Sequence, residues 1–207
     1  MQIIEPSVEI ISPVNGKLII NHIERCGRVC YKSEDKIAEG SAEKFIAGII
    51  KRGHESVIEH FNITMKFIVD RGVSHEIVRH RLASYSQEST RYCNYLKDGF
   101  GSEITVIKPL FFKEGTESWC CWKNSCEEAE AAYFELLGFG CSPQEARSVL
   151  PNSLKTELIA TMNLRELRHF LKLRTSPAAH PQMREVAIQL LKMMKEKIPV
   201  LFDDIEV

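Results

Sequence analysis

The sequence predicts an α+β fold, a helix-rich single domain with a small, mostly antiparallel sheet, and three observations carry that prediction. Apolar residues recur at helical spacing over several long stretches. Over residues 60–70 the period changes, with Phe61, Ile63, Met65, Phe67 and Val69 apolar at every second position, as in a half-buried strand. No Gly/Ser linker, low-complexity tract or solenoid repeat interrupts the 207 residues, so 1–207 is expected to form one domain around one main core.

Taken in order, a short strand is expected over residues 8–11. A helix follows in which Ile19, Ile20, Ile23 and Cys26 share a face. A second helix begins after Ser41, buries Phe45, Ile46, Ile49 and Ile50, and stops at Gly53. After the strand at 60–70, a helix is expected over residues 74–82, then a polar loop, a tyrosine-bearing segment over 91–96 and a β-rich stretch over 104–107. The rest reads as helical: 114–137; a helix opened by Ser142-Pro143-Gln144-Glu145, a capping box with proline at the first position, and stopped by Pro151; then 154–174 and 183–197.

Hydrophobic residues make up 44% and charged residues 27% of the chain, enough apolar side chain to offset chain entropy on burial, which excludes global disorder. A formal net charge of −1 supplies no long-range field to collect a polyanion, so nucleic acid is not an expected partner. The start of the chain carries Glu5 and Glu9 instead of a basic leader, and no apolar run approaches membrane-spanning length. A cytoplasmic protein with no membrane partner is expected. The seven cysteines, Cys26, Cys30, Cys93, Cys120, Cys121, Cys126 and Cys141, form no CxxC pair, and most are expected to be buried thiols.

The stretch richest in chemistry runs from Arg79 to Tyr92. Arg79, Arg81 and Arg91 against the single acid Glu88 give it a formal charge of +2, and Ser84, Ser86, Gln87, Ser89 and Thr90 add hydrogen-bonding groups. Guanidinium forks donate paired hydrogen bonds to phosphate and stay cationic at any physiological pH. On a helix, residues two apart point about 200° apart, so Arg79 and Arg81 would serve two neighbouring ligands better than one. Glycine is absent between Gly72 and Gly99, so an anion cradle here is built from side chains. The bland alternative is a solvated helix end whose arginines pair with acids elsewhere.

The order of residues resembles that of the flavin-dependent thymidylate synthases, the ThyX family, whose signature is R-H-R followed by a Ser-rich segment ending in S-x-R. Here it stands as Arg79-His80-Arg81, then Ser89-Thr90-Arg91. Upstream, His54-Glu55-Ser56-Val57-Ile58-Glu59-His60 is similar to the family's H-E-(S/T)-x-x-E-H. Downstream, Ala146-Arg147-Ser148-Val149-Leu150-Pro151 is similar to A-R-x-x-L-P, and Asn163-Leu164-Arg165 with Phe170-Leu171-Lys172-Leu173-Arg174 to N-x-R…F-L-x-L-R.

The resemblance implies two ligand sites that meet. Ser56, Arg79, His80, Arg81, Glu88, Asn163, Arg165 and His169 fall at positions that hold FAD in the family. Glu76, Arg79, Gln87, Glu88, Ser89, Arg91, Arg147 and Arg174 fall at positions that line the dUMP pocket. Arg174 takes the catalytic place, polarising the pyrimidine and favouring N3 ionisation, because a permanent cation beside a developing anion stabilises the charged form. The reaction implied is reductive methylation of dUMP to dTMP, with 5,10-methylenetetrahydrofolate giving the carbon and NADPH-reduced FAD the hydride. A homotetramer with active sites shared between subunits is implied as well. No cysteine lies inside the matched blocks, in keeping with a mechanism that needs no thiol nucleophile, and Ser89 is expected to hydrogen-bond, since no His or Lys is fixed beside it. Departures occur at Glu76, Ser86 and Gln87, where many members carry Gln, Asn and Glu, at His169, often Asn, and around His180, where the chain carries extra residues.

Other motifs are set aside. His54 and His60, six apart, would lie about 240° round a helix, against the four-residue spacing of zincins, so no metal site is expected. Gly99-Phe100-Gly101 and Gly138-Phe139-Gly140-Cys141 do not extend to GxGxxG. Trp119, Trp122 and Tyr133, with Cys120 and Cys126, are expected in core or a subunit interface, and Ile188 to Leu191 with Met193 and Met194 in core among solvated lysines. The competing functional reading is a phosphate- or RNA-binding module without catalysis.

Overall fold

The computed structural model describes residues 1–95 and 101–207. Its elements are β1 (Gln2–Ile4), β2 (Ser7–Ile10), α1 (Gly16–Val29), α2 (Ser41–Lys51), β3 (Asn62–Asp70), α3 (Arg71–Ile77), β4 (Ala83–Gln87), β5 (Thr105–Ile107), α4 (Glu117–Gly138), α5 (Pro143–Ala146), β6 (Lys155–Asn163), α6 (Leu164–Arg174), α7 (Pro181–Lys197) and α8 (Pro199–Phe202), with short 3-10 turns at 34–36, 55–60 and 147–149. Leu96, the end of the tyrosine-bearing segment, and Gly99 lie outside the described residues. The class is α+β, as the sequence indicates: β2-β3-β6-β4 form one sheet and the parallel pair β1-β5 another. The backbone bond from Leu164 to Phe61 and the hydroxyl contact of Thr64 with Thr161 share one register sum, which makes β3 and β6 antiparallel.

The chain folds as two compact units. One comprises residues 1–7, 67–79 and 86–158, the other 8–66, 80–85 and 159–207. In the first, Ile104, Val106, Cys126, Tyr133, Ala146 and Leu154 are buried together, with Trp122 packed against them. Thr116 caps α4 by accepting from Trp119 N–H, and the capping box at Ser142 and Glu145 forms as expected, with Ser142 N–H donating to Glu145 at 2.8 Å. In the second, α1 and α2 pack through Ile20, Ile23, Ile46 and Ile49, each fully or nearly buried. A Cβ at Gly27 would lie 2.6 Å from the Phe45 ring, so the close approach of these helices requires glycine there. Gly53, at φ 71°, supplies the left-handed residue after α2.

Three expectations need correction. The helix expected over 154–174 is β6 followed by α6. Thr156, Leu158, Ala160 and Met162 are buried at every second position, the strand period, and Asn163 then opens α6 by accepting Glu166 N–H at 2.9 Å. The helix expected over 74–82 is α3, which starts earlier because Asp70 caps it at Val73 N–H (2.7 Å) and ends before Arg79. The angular argument about Arg79 and Arg81 therefore does not apply, and the polar loop after them contains β4. Of the cysteines, Cys126 alone is buried; Cys120 and Cys121 are exposed on the solvent side of α4, and Cys30 is exposed just past the end of α1.

Among the described residues no helix is long and apolar enough to cross a membrane.

Candidate functional site

In the second unit the sequence-predicted residues gather around α6. Glu166, Phe170 and Arg174 recur every fourth position, which sets them along one stripe of that helix. His80, 6% exposed, lies on this stripe: its Nδ1 is 3.0 Å from Glu166 Oε1, its ring packs edge-on to Phe170 with centroids 4.9 Å apart, and Arg174 Nε–H donates to its Nε2 at 3.1 Å. Tyr85 OH donates to the His80 carbonyl at 2.6 Å.

The chemistry of the donors settles where the protons lie. A guanidinium Nε always carries hydrogen, so His80 Nε2 must accept, Nδ1 must carry the ring proton, and Glu166 receives it. Burial pushes the His80 pKa down, Arg174 and His169 push the same way, and Glu166 opposes them; the net direction is down, so the ring is neutral. Burial, with Glu166 adding to it, raises the Tyr85 phenol to about 12, which keeps it a donor.

His80, Glu166 and His169 also hold one potential metal-ligand atom each within 4.8 Å of one another. Both ring nitrogens of His80 are already engaged, so this trio suits a hydrogen-bonded relay and not a cation.

Ser56, Arg81, Arg165 and His169 are exposed polar groups of the same unit, and each can donate a hydrogen bond. Arg165 already pairs with Glu59 at 2.6 Å. Asn163 uses its amide oxygen to cap α6, which leaves its amide N–H groups to donate. Any contact of His80 with a flavin falls to its backbone or ring face, since its nitrogens are committed.

In the first unit, Glu76 lies on α3 and the exposed Arg79 in the turn after it, its N–H bonded to the Glu76 carbonyl at 3.4 Å. Gln87 donates to Ser74 Oγ (3.0 Å) and Thr156 Oγ1 (3.2 Å). Glu88 accepts from Lys155 Nζ (3.1 Å) and Glu157 N–H (3.2 Å). Burial lowers the Lys155 pKa, but Glu157 and Glu88 outweigh it and the net direction is up. Ser89 Oγ accepts from Arg91 N–H at 3.4 Å, and the Arg91 guanidinium lies over the Tyr92 ring. Arg147 donates to Thr90 Oγ1 at 3.3 Å, and both line a cleft of about 410 Å3 with Arg71, Gln144 and Ser148. Two arginines and two hydroxyls in one cleft are groups that could hydrogen-bond a phosphate monoester. A larger cleft, about 720 Å3 and lined by Lys17, Ile20, Lys44 and Lys197, contains none of the predicted residues.

Sequence reasoning missed Arg71, Tyr85, Lys155 and Glu166, and it named Thr90 only as one hydrogen-bonding group of the arginine-rich stretch. Glu166 left a readable signal, the i, i+4, i+8 run with Phe170 and Arg174, but it sat inside a stretch read as one helix from 154.

Comparison with known proteins gives the family. The family described as "Thymidylate synthase complementing protein" matches residues 20–200. The flavin-dependent thymidylate synthase of Pyrococcus furiosus is 38% identical over 167 residues, 80% of this chain and 68% of that one. That of Geobacter sulfurreducens is 34% identical over 184 residues, 86% of this chain and 78% of its own. The crystal structure of a UMP/dUMP methylase, PolB from Streptomyces cacaoi, bound with 5-Br dUMP, is similar with a TM-score of 0.81 at 25% identity, covering 98% of this chain and 96% of the other. With its His80–Arg174 pairing, its arginine-lined cleft and similarity along most of its length, the chain belongs to the family of flavin-dependent thymidylate synthases.

Proposed function

We propose that the chain methylates dUMP to dTMP with a bound FAD, taking the one-carbon unit from 5,10-methylenetetrahydrofolate and reducing equivalents from NADPH, and that residues 1–207 act as one catalytic domain. The observation that carries this reading is the hydrogen bond between His80 and Arg174. It ties the R-H-R block to the F-L-x-L-R block, which surface arginines paired at random would not do.

Arg147, Thr90 and Arg71 bind the dUMP phosphate, with Ser89 and Arg91 beside them in the chain. Gln87, Glu88, Glu76 and Arg79 hold the nucleoside. Arg174 faces the pyrimidine and stabilises negative charge developing at N3. Ser56, Arg81, Asn163, Arg165 and His169 hold the flavin, which supplies hydride when bound. Arg79 and Glu88 also contribute to the flavin site. The folate, having given only its carbon, leaves as tetrahydrofolate. The active form is a homotetramer with active sites shared between subunits, working in the cytoplasm.

The test is direct. Purified protein should show a flavin absorption spectrum and, under anaerobic conditions with dUMP, methylene-folate and NADPH, should form dTMP at a rate that requires all three. A colourless protein that retains RNA in a steeply salt-dependent manner would replace this reading with the binding-module alternative.

A further inference from the structure

Glu166 belongs to none of the predicted ligand sets, yet it is 7% exposed and its carboxylate points at a ring nitrogen. A buried carboxylate that serves only as a helix cap has no need of a histidine. Its own N–H is already satisfied by Asn163. On α6, Glu166 and Arg174 stand eight residues apart, about 12 Å along the axis, too far to touch directly. The His80 ring fills the interval over Phe170 and bonds to both.

We propose that Glu166 is a positioning residue for the methylation: by accepting the Nδ1 proton it holds His80 in the Nδ1–H tautomer, which turns the bare Nε2 toward Arg174 and fixes the guanidinium plane through its Nε–H. The inference rests on the reading of Arg174 as the pyrimidine-facing cation.

The physical logic is the orientation of one group by a second that is itself oriented by a third. An arginine side chain has several rotatable bonds, and a guanidinium free to swing would stabilise a developing anion only in a fraction of its rotamers. A hydrogen bond at Nε restrains the plane of the whole group while the fork at the far end stays rigidly related to it. That bond exists only if Nε2 is unprotonated. In an unrestrained histidine the proton can sit on either nitrogen, and with Nε2–H two donors would face each other. The Glu166 carboxylate removes that alternative. The other groups facing His80 are His169, whose ring centroid lies 5.6 Å away, and Tyr85, whose hydroxyl holds the His80 carbonyl and so fixes where the ring starts. Neither supplies an acceptor to Nδ1 in place of Glu166.

The experiment uses the flavin-loaded enzyme labelled with 15N-histidine, the His80 signals being assigned by their loss in His80→Asn. The wild type should show a neutral His80 ring protonated at Nδ1. A ring protonated at Nε2, or doubly protonated at neutral pH, would overturn the proposal without any further variant. In Glu166→Leu the ring should shift toward the Nε2–H tautomer, and kcat for dTMP formation should fall by about tenfold to a hundredfold, as for other groups that orient a functional side chain. Flavin content should stay at the wild-type level and the KM for dUMP should change far less than kcat. Glu166→Gln, whose amide oxygen can still accept the Nδ1 proton, should recover part of the rate. No recovery, or wild-type turnover in Glu166→Leu, would remove the positioning role. A wild type that forms no dTMP would sink the functional reading alone, because the tautomer measurement still reports on the relay.

Discussion

In the unit that carries His80, a buried carboxylate, a buried imidazole and a half-buried guanidinium already satisfy one another in a chain along one helix stripe. In the unit that carries Arg147, exposed and half-buried arginines surround an open cleft, and Arg147 leans on the hydroxyl of the buried Thr90. The contrast teaches where preorganisation is stored. A bonded, mostly buried chain keeps its geometry before any ligand arrives, so losing a member should damage the rate. An open cleft gains its order from the ligand, so losing a member should damage affinity.

The largest effect expected from that contrast is at Arg174. In Arg174→Ala the kcat for dTMP formation should fall by about a hundredfold to a thousandfold, the range for removing one preorganised electrostatic group. Flavin absorption should persist. Wild-type-like turnover would end the claim that this cation faces the pyrimidine.

Arg147→Ala should behave differently. A hydrogen bond to a charged group contributes about 1.5 to 3 kcal/mol, so the KM for dUMP should rise by about tenfold to a hundredfold while saturating turnover changes little. If kcat fell and KM held, the division between the two units would be wrong.

A control on the same helix separates stability from catalysis. Arg168, 1% exposed, bonds to Asp204 at 2.7 and 2.8 Å, to the Leu201 carbonyl, and at 3.4 Å to Glu55, and so ties the end of the chain to α6. Arg168→Met fills the space but drops these bonds. A loss of about 3 kcal/mol is expected, or about 6 to 12 °C in Tm, with the KM for dUMP unchanged. Since Arg168 holds the Asp204 carboxyl below its usual range, the wild type should also lose this contribution as the pH falls through that lowered value, and the variant should not.

How far the sequence foretold all this follows from the range of each interaction. Local signals were legible: the alternation in β3, the Ser142 capping box and the apolar faces of α1 and α2 each lie within a few residues. The β6–α6 boundary was not, because Lys, Glu, Leu, Ala and Met in residues 155–162 are good helix formers and only pairing with β3 forces them into a strand. The motif residues were identifiable as a set, but their partners were not. His80 and Glu166 are 86 positions apart, and Glu88 and Lys155 are 67 apart, so no window on the sequence contains either pair.

A smaller effect should appear with pH. Burial lowers the His80 pKa in the folded protein beneath the ordinary histidine value of about 6.5, so the unfolded chain takes up the proton first. Stability from the neutral ring is therefore complete above about 6.5 and declines as the pH falls toward the folded value. The slope of Tm against pH in this window should be shallower in His80→Asn than in the wild type. Equal slopes would mean that the ring titrates alike folded and unfolded.

The smallest effect tests the open unit on its own terms. Gln87 spends its amide N–H groups on Ser74 Oγ and Thr156 Oγ1, and Ser74 in turn donates to the Arg71 carbonyl at 2.8 Å. Gln87→Glu keeps the shape and removes both donors. Thr156 can rotate its hydroxyl to donate instead, whereas Ser74 can do so only by abandoning Arg71, so one bond of the three should be lost. That predicts about 1 kcal/mol of destabilisation and, since Gln87 is placed at the nucleoside, a rise in the KM for dUMP smaller than that of Arg147→Ala. A KM raised as strongly as in Arg147→Ala would show that the nucleoside contact matters as much as the phosphate contact, and an unchanged KM would remove Gln87 from the dUMP site.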